Sequence, residues 1–169
     1  PHVQVIAGNV TGGMIPGWNV SEVLGMTIKK TIPFIYVRDT RKKGGHKERI
    51  TGVANNPEIA PGCNVLVVEE LVNFSQTTCN SAVVLREAGY TVTHATCILS
   101  YENPEALRML KAHGLTMVSL MTLGDVLNAA EKHKTHSRGA IAAYREFLSD
   151  PLAWQTQHGF IPVPEGGTK

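Results

Sequence analysis

The alternation of apolar and polar positions is most informative in the middle of the chain. An uninterrupted apolar run at residues 65–68 predicts a strand covered on both faces, because the run is too short for a buried helix. It ends on two adjacent carboxylates, Glu69 and Glu70. A polar turn at 73–78 precedes a helical segment that stops at Gly89, a residue type that commonly follows a helix C-terminus. The pattern therefore predicts strand, acid pair, turn and helix.

Further elements flank this unit. Four more apolar runs each predict a strand, at residues 3–7, 32–38, 91–99 and 116–120. Helices are predicted to begin at Ser21, at Pro104 and in the segment opened by Thr122. Strands and helices that alternate at this spacing predict an α/β fold with a right-handed, parallel, doubly wound sheet flanked by helices.

Candidate binding segments fall where such sheets bind ligands, at the carboxyl ends of the strands. The glycine-containing loop at 8–17 follows the first strand, and the acid pair with its turn follows the central one. A helix N-terminus offers backbone N–H groups to an anion, and carboxylates beside it bind a cation or a sugar hydroxyl. The plainer alternatives are an ordinary turn for the loop and an exposed, solvated strand end for Glu69 and Glu70.

Composition limits the function classes. The chain has 169 residues, 43% apolar and 18% charged, which suits one globular domain, with an α/β core at 1–130 and a helical tail at 131–169. A net charge of +2 gives no indication of a nucleic-acid partner, and no segment indicates a membrane span or a signal peptide. The chain opens directly on an apolar run without an N-terminal Met, which is typical of the remainder of a longer or processed protein.

The cysteines indicate a redox setting. The chain has three cysteines, an odd number, at the widely spaced positions Cys63, Cys79 and Cys97. They do not have the paired spacing of a metal site. They predict free thiols in a reducing, cytoplasmic environment.

The central segment VLVVEELVNFSQTT resembles the phosphoribosyl-pyrophosphate (PRPP) signature of type I phosphoribosyltransferases. That signature reads four apolar residues, two acids, two apolar residues, then Thr/Ser-Thr-Gly-Gly-Ser/Thr, and the chain is most similar to the orotate phosphoribosyltransferases. The strand and the acids match. The turn departs from the pattern, because the threonine falls on Phe74 and the two glycines fall on Ser75 and Gln76.

The loop after the first strand resembles the family segment Ala-Gly-x-x-Thr-x-Gly-Ile-Pro, which approaches the pyrophosphate end of PRPP. On this resemblance Thr11, Gly12 and Gly13 bind PRPP. Glycines suit the role because they permit close backbone approach.

A basic run after the second strand resembles the mobile loop that closes over PRPP in this family, partly across a dimer interface. Arg38 and Lys42 match the family pattern. Asp39 places a carboxylate where the family has a lysine, and the family histidine falls on Gly44, so that only His46 is left to replace it. The alternative interpretation of the run is a solvated hairpin tip.

The second half of the chain extends the resemblance. ILSYENPEALRMLKAHGLTMVSLMTLGDVL is similar to the part of some bacterial family members that reads Phe-Thr-Tyr and then continues as a helix, a strand and a second helix. This implies a base-binding role for Tyr101. The tail YREFLSDPLAWQTQ also resembles the family C-terminus, and Asp150 is expected to cap or turn the chain there. The family normally carries a further N-terminal segment, which this sequence lacks.

The resemblance implies Mg²⁺-dependent transfer of a phosphoribosyl group from PRPP to a ring nitrogen of orotate or a related base, with release of pyrophosphate, in a homodimer. Glu69 and Glu70 would hold the ribose hydroxyls directly or through Mg²⁺. Arg38, Lys42 and His46 would meet the pyrophosphate. The 5′-phosphate would lie on Asn73, Phe74, Ser75, Gln76, Thr77 and Thr78.

Three hypotheses stay open at this point. The chain is an active phosphoribosyltransferase, a catalytically silent homologue that binds a nucleotide, or a structural and interaction protein that keeps the scaffold. The retained acids favour the first hypothesis. The altered turn, the altered basic loop and the missing N-terminal segment favour the other two.

Overall fold

The computed structural model describes residues 2–38, 49–54 and 56–163. Within these ranges six strands form one sheet: β1 (Val5–Asn9), β2 (Phe34–Val37), β3 (Ile50–Thr51), β4 (Asn64–Val72), β5 (Thr91–Ser100) and β6 (Thr116–Thr122). Their order is β3-β2-β1-β4-β5-β6. Only the short β3 is antiparallel to its neighbour. The predicted α/β class with a parallel, doubly wound sheet is confirmed.

Six helices accompany the described strands: α1 (Met14–Ile28), α2 (Gln76–Glu87), α3 (Pro104–Ala112), α4 (Leu123–His133), α5 (Arg138–Ser149) and α6 (Pro151–Gln157). None of the helices in the described part of the chain is long and apolar enough to cross a membrane.

The helices cover opposite faces of the sheet because side chains along a strand alternate between the faces. Ile6 of β1 and Val68 of β4 are buried in a cluster with residues of α1. Side chains of opposite parity, such as Val5 and Val67, join a larger cluster that contains Leu85 of α2. The chain therefore leaves β1 toward one face and β4 toward the other.

The start of α1 differs from the prediction. Helix α1 begins at Met14, so the loop after β1 ends earlier than residue 17 and Ser21 lies inside the helix. The Ser21 hydroxyl is not an N-cap, since it donates to the Trp18 carbonyl at 2.8 Å. Pro16 is tolerated because it lies in the first turn, where the backbone N–H groups have no intrahelical acceptor. Gly13 occupies the N-cap without a side-chain hydrogen bond, which removes the usual sequence signal for a helix start.

Helix ends in the second half follow the predictions. Gly89, with φ of +91°, follows α2, and Pro104 opens α3 behind the Asn103 cap. Thr122 caps α4 in a reciprocal capping box with Asp125. Asp150 caps α6, accepting from the Ala153 amide at 2.9 Å.

The C-terminal helices pack as a layer of their own beside β6. Leu123 and Leu127 of α4 pack with Ile141 of α5. Phe147 then meets Trp154 of α6, with ring centroids 5.4 Å apart. The predicted boundary at residue 130 falls inside α4. The division into a core at 1–130 and a tail at 131–169 stays a prediction.

Candidate functional site

The site lies at the carboxyl ends of β1 and β4, which are neighbours in the sheet. The strands that follow β1 and β4 continue the sheet in opposite directions, and α1 and α2 leave these two strands toward opposite faces. Such a switch in strand order opens a crevice at the carboxyl ends, where ligands of open α/β sheets bind. The predicted loop and acid pair both lie there.

The loop after β1 packs directly on the acid pair. A Cβ added to Gly12 would overlap the carboxyl group of Glu70, and one added to Gly13 would overlap the carbonyl oxygen of Val68. Glycine is therefore needed at Gly13, where the clash would be with backbone atoms, whereas a side chain at Gly12 would displace the end of the Glu70 side chain. The structure brings together Gly12, Gly13 and the two acids, which the sequence placed far apart.

The two acids have different environments. Strand β4 continues through both of them to Val72, so Glu69 keeps the parity of Val67 and lies on the α2 side. Only 5% of Glu69 is exposed, whereas Glu70 is exposed on the other face, against Gly12. The plainer alternative of a solvated strand end does not describe Glu69, which is buried; only Glu70 is exposed.

Three side chains donate hydrogen bonds to Oε1 of Glu69. Asn9 Nδ2 at the end of β1 is one donor. The hydroxyls of Thr77 and Thr78, in the first turn of α2, are the others, at 3.2 and 3.3 Å. These two residues were predicted to bind phosphate, and here their hydroxyls hold the acid.

Burial dominates the protonation of Glu69. Removal from water raises the pKa of its carboxyl to about 7, against the lowering effect of the Asn9 bond, and the nearby charge of Glu70 raises the pKa further. Glu69 therefore titrates near neutral pH when no ligand is bound.

The turn between β4 and α2 keeps a glycine-like backbone without glycine. Ser75 has φ of 64°, a left-handed conformation that costs a non-glycine residue free energy. Its hydroxyl is buried and has no hydrogen-bond partner within the described residues. Phe74 is 7% exposed, so its extra volume is accommodated within the fold. Asn73 is held by Asn103, whose Nδ2 donates to the Asn73 carbonyl at 2.9 Å.

Similar proteins cover most of the chain, although no family model matches it. The orotate phosphoribosyltransferase of Cereibacter sphaeroides is 35% identical over 151 residues, which are 89% of this chain and 60% of the relative. That of Jannaschia sp. strain CCS1 is 33% identical over 155 residues, 91% of this chain and 63% of the relative. A crystal structure of orotate phosphoribosyltransferase from Aeropyrum pernix matches with a TM-score of 0.58 and 26% identity, over 80% of this chain and 68% of that one.

The chain is a homologue of the orotate phosphoribosyltransferases. Its fold is that of the type I phosphoribosyltransferases. The chain spans about three fifths of the length of the two bacterial relatives.

The remaining predicted residues of this orotate phosphoribosyltransferase homologue lie at the same edge of the sheet or outside the described ranges. Arg38 follows β2, and its guanidinium lies 5.2 Å from the centre of the Tyr36 ring. Strand β2 is the neighbour of β1, so Arg38 is at the carboxyl edge that carries the acids. Lys42 and His46 lie outside the described residues.

Tyr101, predicted to bind the base, faces the C-terminal layer. Its ring meets Phe147 edge-on, with centroids 6.4 Å apart. It also lines a cavity of about 210 Å³ with Leu127, His136 and Tyr144. In this homologue the Tyr101 ring is therefore packed with the tail helices, and its base-binding role stays a prediction.

Two polar residues of the site were missed in the sequence. Asn9 ends an apolar run and Ser81 lies within α2, yet they are 3% and 2% exposed. The only sequence signal for Asn9 was an amide at the end of a buried strand. Ser81 gave none, because its partner is 72 residues away.

The buried state of Glu69 predicts a pH-dependent stability. Its folded-state pKa of about 7 lies above the ordinary value of 4.5, so the folded chain binds the extra proton between these values. The stabilisation is complete below about pH 4.5 and is lost as the pH rises through about 7. Glu69→Gln removes this titration. We expect the variant to gain up to about 3 kcal/mol over the unmodified chain between pH 4.5 and pH 8.

Urea unfolding at both pH values without Mg²⁺ measures the difference. Ser21→Ala is the control, because Ser21 is also buried and has no ionisable side chain, so its stability difference from the unmodified chain should be the same at both pH values. If the free energy of unfolding changed with pH in the same way for Glu69→Gln and for the unmodified chain, Glu69 would not be a buried carboxyl with a raised pKa.

Proposed function

We propose that the protein transfers a phosphoribosyl group from PRPP to orotate or a closely related base and releases pyrophosphate. The observation that carries the proposal is the pair of acids at the switch point, with Gly12 packed against Glu70 and the first turn of α2 bonded to Glu69. Similarity to orotate phosphoribosyltransferases over about 90% of the chain supports this assignment.

The acids are assigned to the ribose and to Mg²⁺. Oε1 of Glu69 is taken up by its three donors, and the exposed Glu70 carboxylate reaches solvent at the edge of the crevice. No group of three or more potential metal ligands occurs among the described residues. Two carboxylates suit Mg²⁺, which is commonly held by one or two carboxylates together with substrate phosphates. When bound, the ion would neutralise charge on the pyrophosphate.

The 5′-phosphate is assigned to the turn at 73–78. The first N–H groups of α2 have no intrahelical acceptor and favour an anion. The buried hydroxyl of Ser75 adds a donor at the same place. Pyrophosphate is assigned to Thr11, Gly12, Gly13 and Arg38, with Lys42 and His46 from the basic loop.

A homodimer is part of the proposal, and the surface of α1 supports it. Ile15, Trp18 and Met26 are 68%, 51% and 70% exposed and form a stripe along the helix. Val118 and Leu120 on β6 are exposed too, at 58% and 78%. Apolar side chains gathered on one helix face are typical of a surface that a second subunit covers.

A reducing, cytoplasmic setting is also proposed. Cys63, Cys79 and Cys97 are all buried and free. Burial raises the pKa of Cys79 and of Cys97 to about 11, so neither thiol is reactive near neutral pH.

Turnover of PRPP and orotate tests the proposed activity. We expect Mg²⁺-dependent release of pyrophosphate coupled to consumption of orotate. Glu69→Gln should lower kcat/KM about a hundredfold, the scale of losing one transition-state contact. Glu87→Gln, an exposed acid at the far end of α2, should be unaffected. Full activity in Glu69→Gln would remove the acid from the mechanism.

The phosphate turn gives a second prediction. Ser75→Gly together with Gln76→Gly restores the family glycines, relieves the left-handed strain and lets phosphate approach the α2 amides. Since a charge-assisted hydrogen bond contributes about 1.5–3 kcal/mol, we expect at least a tenfold gain in Mg-PRPP affinity, measured by isothermal titration calorimetry. Arg138→Gly, at the first position of α5, is the control for glycine at a helix start. Unchanged or weaker binding would show that the native turn already provides its own phosphate geometry.

The dimer is tested by charge on the exposed stripe. Trp18→Glu should convert a dimer into a monomer in sedimentation velocity at micromolar concentration. Leu107→Glu is the matched control, because Leu107 of α3 is 53% exposed and α3 does not share the α1 face. A monomeric unmodified chain, or a dimer that survives Trp18→Glu, would contradict this interface.

A further inference from the structure

A chain of three buried side chains runs behind the acid pair. The Ser81 hydroxyl donates to Oδ1 of Asn9 at 2.9 Å, and Nδ2 of Asn9 donates to Oε1 of Glu69. Exposure is 2% for Ser81, 3% for Asn9 and 5% for Glu69. The three residues come from α2, β1 and β4, so the chain crosses the crevice wall from helix to sheet.

The carboxylate selects which end of the Asn9 amide it meets, and Ser81 holds the opposite end of that amide in place. An asparagine side chain has an acceptor oxygen and a donor nitrogen on one planar group. Nδ2 faces Glu69 because an ionised carboxylate only accepts, and the Ser81 hydroxyl donates to the remaining Oδ1. A reversed amide would set its oxygen against the carboxylate, which repels it.

The bonds at Glu69 are one-sided. Asn9, Thr77 and Thr78 all donate to Oε1, and no hydrogen bond within the described part of the chain reaches Oε2. One carboxyl oxygen is fixed from β1 and from α2. The rotation of the carboxyl group is thereby set, and so is the direction in which the second oxygen points.

We propose that Ser81 and Asn9 are positioning residues: they hold Glu69 by Oε1 so that Oε2 is presented to the ribose hydroxyls of PRPP. The inference rests on the proposed function of the acid pair. Ser81 acts only through Asn9 and does not touch the substrate. An acid in the open crevice would rotate freely, and this arrangement removes that freedom before PRPP binds.

A purely structural role makes a different prediction. Buried hydrogen bonds also stabilise a fold. If that were the only role of Ser81, its loss would lower stability without a selective decrease in kcat/KM for PRPP. If Ser81 positions Glu69, the loss of Ser81 should lower kcat/KM for PRPP. This decrease should disappear once Glu69 is replaced by Gln.

The test is a double-mutant cycle in the orotate and PRPP assay. Ser81→Ala should lower kcat/KM for PRPP about tenfold and leave KM for orotate unchanged. Ser81→Cys keeps a weaker donor, so its kcat/KM for PRPP should lie between that of the unmodified chain and that of Ser81→Ala. In a Glu69→Gln background Ser81→Ala should change kcat/KM less than twofold. Ser21→Ala is the matched control, since Ser21 is equally buried at 2% and donates to a helix carbonyl.

The outcomes separate the two levels of the proposal. If the unmodified chain neither binds nor turns over Mg-PRPP, the proposed function fails and the positioning role falls with it. If the unmodified chain is active and Ser81→Ala behaves like Ser21→Ala, only the positioning role is overturned. The positioning role is also overturned if Ser81→Ala lowers kcat/KM for PRPP by the same factor in the Glu69→Gln background.

Discussion

The arrangement of the site is centred on one buried carboxyl group. Glu69 is withdrawn from water and held by donors from β1 and from α2, so a single side chain joins the two sides of the crevice. Burying an ionised group without partners is very unfavourable, and these bonds are what allow the acid to remain there. The loop after β1 packs on the same strand, because Gly13 has room only for a hydrogen against the Val68 carbonyl oxygen.

The turn beside this carboxyl group departs from the family pattern. The turn after β4 has lost both family glycines, yet Ser75 adopts the left-handed backbone that glycine would take most easily. The ring of Phe74 is accommodated within the fold. The turn and the start of α2 are therefore formed with Phe74 and Ser75 at positions where the family pattern has threonine and glycine.

Local patterns in the sequence were sufficient for five of the six described strands and for most helix ends, because apolar runs and caps such as Asp150 act over a few residues. The short β3 (Ile50–Thr51) was not predicted. Local patterns failed at α1, where Gly13 caps without a side chain and Ser21 imitated a helix start. They also failed on the burial of Glu69, since that burial depends on Asn9, 60 residues away in the chain. Contacts of this kind arise from topology, and no local pattern encodes them.

The proposed function requires that the acid pair and the α2 turn form a PRPP site. Isothermal titration calorimetry of the unmodified chain with PRPP in the presence of Mg²⁺ tests it most directly. The account predicts saturable binding that needs Mg²⁺ and is lost in the Glu69→Gln, Glu70→Gln double variant. No heat of binding at millimolar PRPP, or binding that persists without the two carboxylates, would contradict it.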